Sequence, residues 1–219
     1  MRILKQITGT CFLIAVLLLS GCQTAPKTGW ELLPDILGQI KAPEFPDRDF
    51  SIVDYGAVGD GKTDCTDAFK KAIAACNSAG GGRVVVPEGT FLTGAIHLKS
   101  NVNLHVAENA TVLFSRDLKK YLPVVLTRFE STECYNYSPF IYALEQENIA
   151  ITGKGTLDGN ADSSVWWPWK GRKEYGWKEG TPYEHEDLME LRRMAEAGVS
   201  VEERVFGDGH RLRVNFIQP

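Results

Sequence analysis

Four of the chain's five tryptophans, Trp166, Trp167, Trp169 and Trp177, fall close together, with Tyr175 and Tyr183 beside them. Flat aromatic rings offer a platform for the C–H face of a sugar ring, and Arg172, Lys173 and Lys178 supply nearby charge for a carboxylate. Trp166, Trp167, Trp169 and Arg172 are therefore the candidate substrate-binding residues. The competing reading is that the rings clamp their own segment onto a core and the charges form a solvated face. Trp166-Trp167 follows closely on a predicted core strand, which favours the clamp. A second pattern is Gly56-Ala57-Val58-Gly59-Asp60-Gly61-Lys62-Thr63, which fits the phosphate-loop spacing, with a strand before it and a helix after it. Asp60, Asp64 and Asp67 would set carboxylates against the phosphates, and no alternating βαβ pattern follows. The segment is read instead as a tight turn feeding a helix.

Other chemistry-bearing residues point to structure. His97 and His105 lie on predicted strands separated by a turn at Ser100-Asn101 and are read as outward ladder residues. Gly207-Asp208-Gly209-His210 and Asp158 before Gly159 are read as turns. Cys65 and Cys76 fall eleven residues apart in one predicted helix. At 1.5 Å per residue they stand about 16 Å apart, too far for a disulfide. With Cys134 they are read as small buried apolar residues. Their spacing matches no metal site, and no cofactor is implied.

The elements that must position these groups are mostly short strands. Residues 50–54 predict a strand and 56–63 a glycine-rich turn. Residues 64–79 predict a helix, capped by Thr63 or Asp64, with Phe69, Ala72, Ile73 and Cys76 on its apolar face and Gly80-Gly81-Gly82 ending it. Short β-prone runs follow at 83–86, 90–92, 95–98, 102–106, 111–114, 140–144, 149–152 and 156–158. Strands this short and frequent argue for an all-β repeat. Asn101-Val102-Asn103-Leu104 with Ala110-Thr111-Val112 resembles Asn148-Ile149-Ala150-Ile151 with Gly155-Thr156-Leu157. The spacing of about 47 residues suits two solenoid turns of roughly 20–25 each. A parallel β-helix meets that description, with the helix covering its open N-terminal end. Residues 160–208 interrupt the strands with the aromatic cluster and an amphipathic helix at 184–197, whose apolar face holds Leu188, Leu191 and Ala195. Another strand starts at 214–217.

Residues 50–91 carry DYGAVGDGKTD, DAFKKAIAAC and GGRVVVPEGTF, and resemble the opening segment of pectate-lyase-like β-helix proteins. GTFLTGAIHLKSNVNLHV, GKGTLDGNADSSVWW and RLRVNFIQP narrow the resemblance to glycoside hydrolase family 28, the polygalacturonases, and to their bacterial lipoprotein members. The resemblance runs from about residue 50 to the end and is weaker across the insert. It implies a right-handed parallel β-helix that hydrolyses glycosidic bonds in pectin or galacturonan with inversion. Inversion needs a carboxylic acid on the leaving oxygen and a carboxylate activating water, roughly 6.5–9.5 Å apart. The family draws these from Asn-Thr-Asp and Asp-Asp motifs, assisted by Gly-His-Gly and Arg-x-Lys. This chain contains no Asp-Asp pair, no Gly-His-Gly and no Arg-x-Lys. Asn160-Ala161-Asp162 has the outer letters of the first motif without its setting. No catalytic residue is carried over, and the chain is expected to stop before the coils that hold them. Alone it is expected to be inactive, and poorly soluble or marginally folded, because the last coil is uncovered. A non-catalytic glycan-binding β-helix and a calcium-dependent eliminating lyase are the alternatives.

The N-terminus speaks to compartment. Arg2 and Lys5 precede the apolar run at 11–19, which is too short to span a membrane stably and fits a secretory signal. Leu19-Ser20-Gly21-Cys22 resembles a bacterial lipobox, with Cys22 as the lipidation site after removal of a 1–21 signal peptide. Residues 22–49, with Pro26, Pro34, Pro43 and Pro46, read as a tether with a short helical turn at 30–37, ahead of a β-helix domain at 50–219. The expected location is the outer membrane, facing periplasm or exterior. Loss of Arg2 and Lys5 takes the formal charge from −4 to −6, which is not a nucleic-acid-binding balance. Attraction to an anionic plant polysaccharide must then be local. The complete protein is expected to be a monomer.

Overall fold

A computed structural model describes residues 27–219, in two units that divide after Ala42. The predicted signal and Cys22 lie outside the described residues. In the first unit a 3-10 turn, Gly29–Leu32, runs into α1 (Leu33–Gln39), with Pro34 in its first turn. Lys27 Nζ meets Asp35 at 2.7 Å.

The second unit, Pro43–Pro219, is a stack of four coils. The first holds β1 (Asp49–Ser51), β2 (Asp60–Asp64) and α2 (Thr66–Ser78). The second holds β3 (Gly82–Val86), β4 (Gly89–Thr93) and β5 (Ile96–His97). The third holds β6 (Val102–Val106) and β7 (Ala110–Phe114), then an excursion, β8 (Val125–Phe129) and β9 (Thr132–Asn136), then β10 (Ile141–Tyr142). The fourth holds β11 (Ala150–Gly153) and β12 (Thr156–Asp158). A longer excursion with α3 (Glu184–Glu196) and β13 (Val205–Phe206) follows, then β14 (Ile217–Gln218).

Strands stack coil on coil in three parallel sheets, ordered β1-β3-β6-β11, β2-β4-β7-β12 and β5-β10-β14. Alternation along each strand sends every second residue inward. Val84 stacks on Leu104 and Phe91 on Val112, all essentially inaccessible to solvent. Each such side chain contributes about 1.5–3 kcal/mol on leaving water. The polar counterpart is an asparagine step: Asn148 Nδ2 donates to Asn101 Oδ1 at 2.9 Å, and both residues adopt positive φ at equivalent corners.

The expected architecture is the one observed, with local corrections. The strand expected at 50–54 is shorter, and Ile52–Tyr55 forms a 3-10 turn. The turn expected through 63 gives way at Asp60 to β2, which pairs with β4. The 47-residue repeat spans one coil, since Asn103 pairs directly with Ala150; the extra length is the third-coil excursion, an antiparallel hairpin. Its strands escaped the sequence reading because they face a separate small core rather than the solenoid interior. The final strand begins at Ile217.

The expected helix is α2. Phe69, Ala72, Ile73 and Cys76 are buried, and the helix packs on β1, β3 and β5 at the N-terminal end of the stack. Asp64 Oδ1 accepts from the Thr66 backbone N–H at 2.9 Å, satisfying one of the helix's free donors. Gly81, at φ 108°, follows the helix so closely to the next coil that a Cβ would sit 2.5 Å from Asn101 O. Cys65, Cys76 and Cys134 are buried free thiols, and burial pushes Cys134 up to about 11.

Candidate functional site

The fourth-coil excursion carries the aromatic cluster. It leaves β12 through a knot at Asn160-Ala161-Asp162. Arg116 Nη2 meets Asp162 Oδ2 at 2.5 Å, and Asp162 Oδ1 accepts from the Ser164 hydroxyl and backbone N–H. Those donors, with the Arg116 guanidinium, hold the Asp162 carboxyl well below the usual range. Asp162 thus ties Arg116 to the turn at Ser164.

The consecutive tryptophans have opposite fates. Trp166 adopts φ 65° and is buried, packing edge-on against Tyr121, Phe140 and Trp169. It plugs the excursion onto the coils, so its ring is closed to ligand. Trp167 is 50% exposed. Trp169 is half-buried, with the Arg211 guanidinium 5.2 Å above its ring, which occupies one face. Arg172 is exposed and meets Glu174 at 3.4 Å.

A 3-10 turn, Trp167–Lys170, is followed by Gly171 at φ 73°. A Cβ there would fall 2.2 Å from the Tyr183 ring, so only glycine lets Tyr183 close over the turn. Tyr183 precedes α3, and Glu184, the first helical residue, is buried. Lys170 Nζ donates to Glu184 Oε1 at 2.8 Å, while Arg213 Nε donates to Oε2 at 2.5 Å and Nη2 to Oε1 at 3.3 Å. Trp167, Lys170, Tyr175 and Arg213 line one open cleft of about 350 Å³. Of the four predicted binding residues, Trp167 alone lines this cleft. Sequence reasoning did not single out Lys170, Arg213 or Glu184. Arg213 lies within the RLRVNFIQP segment, 43 positions after Lys170, and α3 lies in the stretch between them.

Within the phosphate-loop pattern, a carboxylate of the loop itself takes two of the backbone donors. Asp60 Oδ1 takes the backbone N–H groups of Lys62 at 2.8 Å and Thr63 at 2.7 Å. His97 Nε2 lies 2.9 Å from Ser138 Oγ, and His105 Nδ1 lies 2.9 Å from Thr152 Oγ1 on the next coil. His210 Nδ1 lies 2.7 Å from Asp187 Oδ1, fastening the turn at 207–210 to α3. Among the described residues no group of three His, Cys, Asp or Glu side chains is arranged to hold a metal ion.

The family model for rhamnogalacturonase A/epimerase, pectate lyase-like, matches residues 50–112. The crystal structure of a hyperthermoactive exopolygalacturonase from Thermotoga maritima superimposes with a TM-score of 0.83 at 57% identity, over 86% of this chain and 42% of that one. The chain is homologous to polygalacturonases. A Vitis vinifera protein named "Probable polygalacturonase" is 32% identical over 159 residues, 68% of this chain and 30% of the relative. An exo-poly-alpha-D-galacturonosidase of Dickeya chrysanthemi is 37% identical over 118 residues, 50% of this chain and 19% of the relative. The chain thus spans less than half the length of each of these three polygalacturonase relatives. The Thermotoga alignment extends across most of the second unit, and the parallel β-helix expected from the sequence is the fold of both.

Proposed function

We propose that this chain supplies the first four coils of a polygalacturonase-type enzyme that hydrolyses glycosidic bonds in pectin or galacturonan with inversion. The observation that carries the reading is 57% identity to the Thermotoga maritima exopolygalacturonase across 86% of the chain. In this reading the acid and base carboxylates stand on further coils, and these four coils cap the N-terminal end and build one wall of the substrate groove. The lipobox at Cys22 tethers the enzyme to the outer membrane, where it meets plant cell-wall polysaccharide. Incubation of polygalacturonate with the product of the whole reading frame tests the activity. New reducing ends with inverted configuration are expected. Unsaturated ends would instead mark elimination, and no cleavage would overturn the hydrolase. Labelling with a fatty-acid analogue, lost in Cys22→Ser, tests the anchor.

A second reading is glycan binding without hydrolysis by this chain, favoured by the exposed aromatic and paired cations of the Trp167 cleft. It predicts that these residues alone retain oligosaccharides.

A further inference from the structure

The fourth-coil cleft combines exposed rings, two partly exposed cations and one buried carboxylate. Trp167 leaves 50% of its surface in water, and Tyr175 leaves 39%, although Trp166 beside them is buried. Lys170 and Arg213 reach the surface with about a third of their side chains exposed, at 36% and 37%. Both converge on Glu184, whose side chain is only 5% exposed. Two cations against one carboxylate leave the cluster with one positive charge in surplus. Glu184 spends its two oxygens on holding them together. Among the described residues no hydrogen bond engages Arg213 Nη1, and Lys170 keeps further N–H donors beyond the one given to Glu184.

An exposed aromatic face suits the C–H side of a pyranose, and the surplus cation suits one carboxylate. A volume of about 350 Å³ takes one sugar ring with room to spare. We infer that the cleft is a subsite for a single uronate residue. Its ring rests on Trp167 with Tyr175 at the side, and its carboxylate bridges Lys170 and Arg213. The inference deepens the galacturonan reading and rests on it for the choice of sugar. The molecule as a whole is acidic, so a uronate is drawn here by this local charge and not by the global field.

Calorimetric titration of the full-length protein with trigalacturonate, with its fully methyl-esterified form and with neutral galactotriose tests the subsite. Trigalacturonate is expected to bind at least tenfold more tightly than the ester or galactotriose. Trp167→Ala should weaken it at least tenfold, and Lys170→Met should bring it down to the affinity of the ester. Circular dichroism confirms that the variants are folded, and Tyr175→Ala substitutes for either one that is not, with a smaller but measurable loss. Equal binding of acid and ester, or undiminished binding by folded variants, overturns the subsite. Hydrolysis of polygalacturonate with unaltered KM in Trp167→Ala overturns the subsite while the galacturonan reading stands. Trp167-dependent uronate binding by a protein that cleaves nothing supports the subsite while the hydrolase falls.

Discussion

Adjacent residues of one type play different parts here. Trp166 is a core side chain, and its truncation to alanine should cost about 3–5 kcal/mol. Trp167, half in water, should tolerate the same change within about 0.5 kcal/mol. Chemical denaturation of the two variants measures the contrast, and equal losses would contradict the assignment. Asp60 offers a test by pH. The N–H groups of Thr63 and Lys62 and the Thr63 hydroxyl hold its carboxyl at about 2, against an ordinary 3.8. Between those values the unfolded chain binds a proton that the folded chain refuses, so stability rises with pH across the window. The stabilisation is complete above 3.8 and is lost as pH falls toward 2. Asp60→Asn should therefore show a shallower loss of melting temperature on acidification than the parent.

At the scale of elements, the coil corners are set by backbone proximity. Gly153 closes β11 at φ 104°, and a Cβ there would lie 1.9 Å from Val106 O on the coil below. Gly153→Ala should cost at least about 2 kcal/mol, since neither the strand nor its neighbour can withdraw without losing ladder hydrogen bonds. Gly198, at φ 70° after α3, has open space around it, and its alanine variant should lose about 1 kcal/mol. Thermal melts of the pair separate steric exclusion from conformational preference alone. The excursions are elements of another kind. Phe129 and Cys134 of the hairpin, Leu191 of α3, Phe206 and Leu212 form a second small core beside the solenoid. The third-coil excursion is therefore the bed on which the fourth is laid.

At the scale of the molecule, the stack has unlike ends. The N-terminal end is covered by α2. At the other, β11, β12 and β14 are the outermost strands of their sheets, and no strand pairs with their outer edges among the described residues. Leu144, Phe216 and Ile217 are exposed there. Open edges with apolar neighbours recruit other chains. Residues 43–219 alone should self-associate at micromolar concentration by light scattering, and Ile217→Lys should reduce this. A monodisperse parent would contradict the prediction.

Local chemistry made much of this protein legible in its sequence. Alternating apolar residues in short strands and a capped amphipathic helix are each set by neighbours along the chain, and the repeated asparagines, 47 residues apart, gave the repeat away. They sufficed for a parallel β-helix with a helical cap. Coil length was not legible, because a strand's partner depends on where the chain returns after an excursion. The β8–β9 hairpin was missed because its inward residues face the second small core and not the solenoid interior. The cleft was half legible. Aromatic clustering pointed to Trp167, but composition could not tell it from Trp166, whose inward rotation is decided by backbone geometry and by Tyr121 and Phe140. Glu184, Lys170 and Arg213 became one cluster only through tertiary structure. Burying that carboxylate requires cations from both ends of the excursion, and folding α3 back across it brings them within reach.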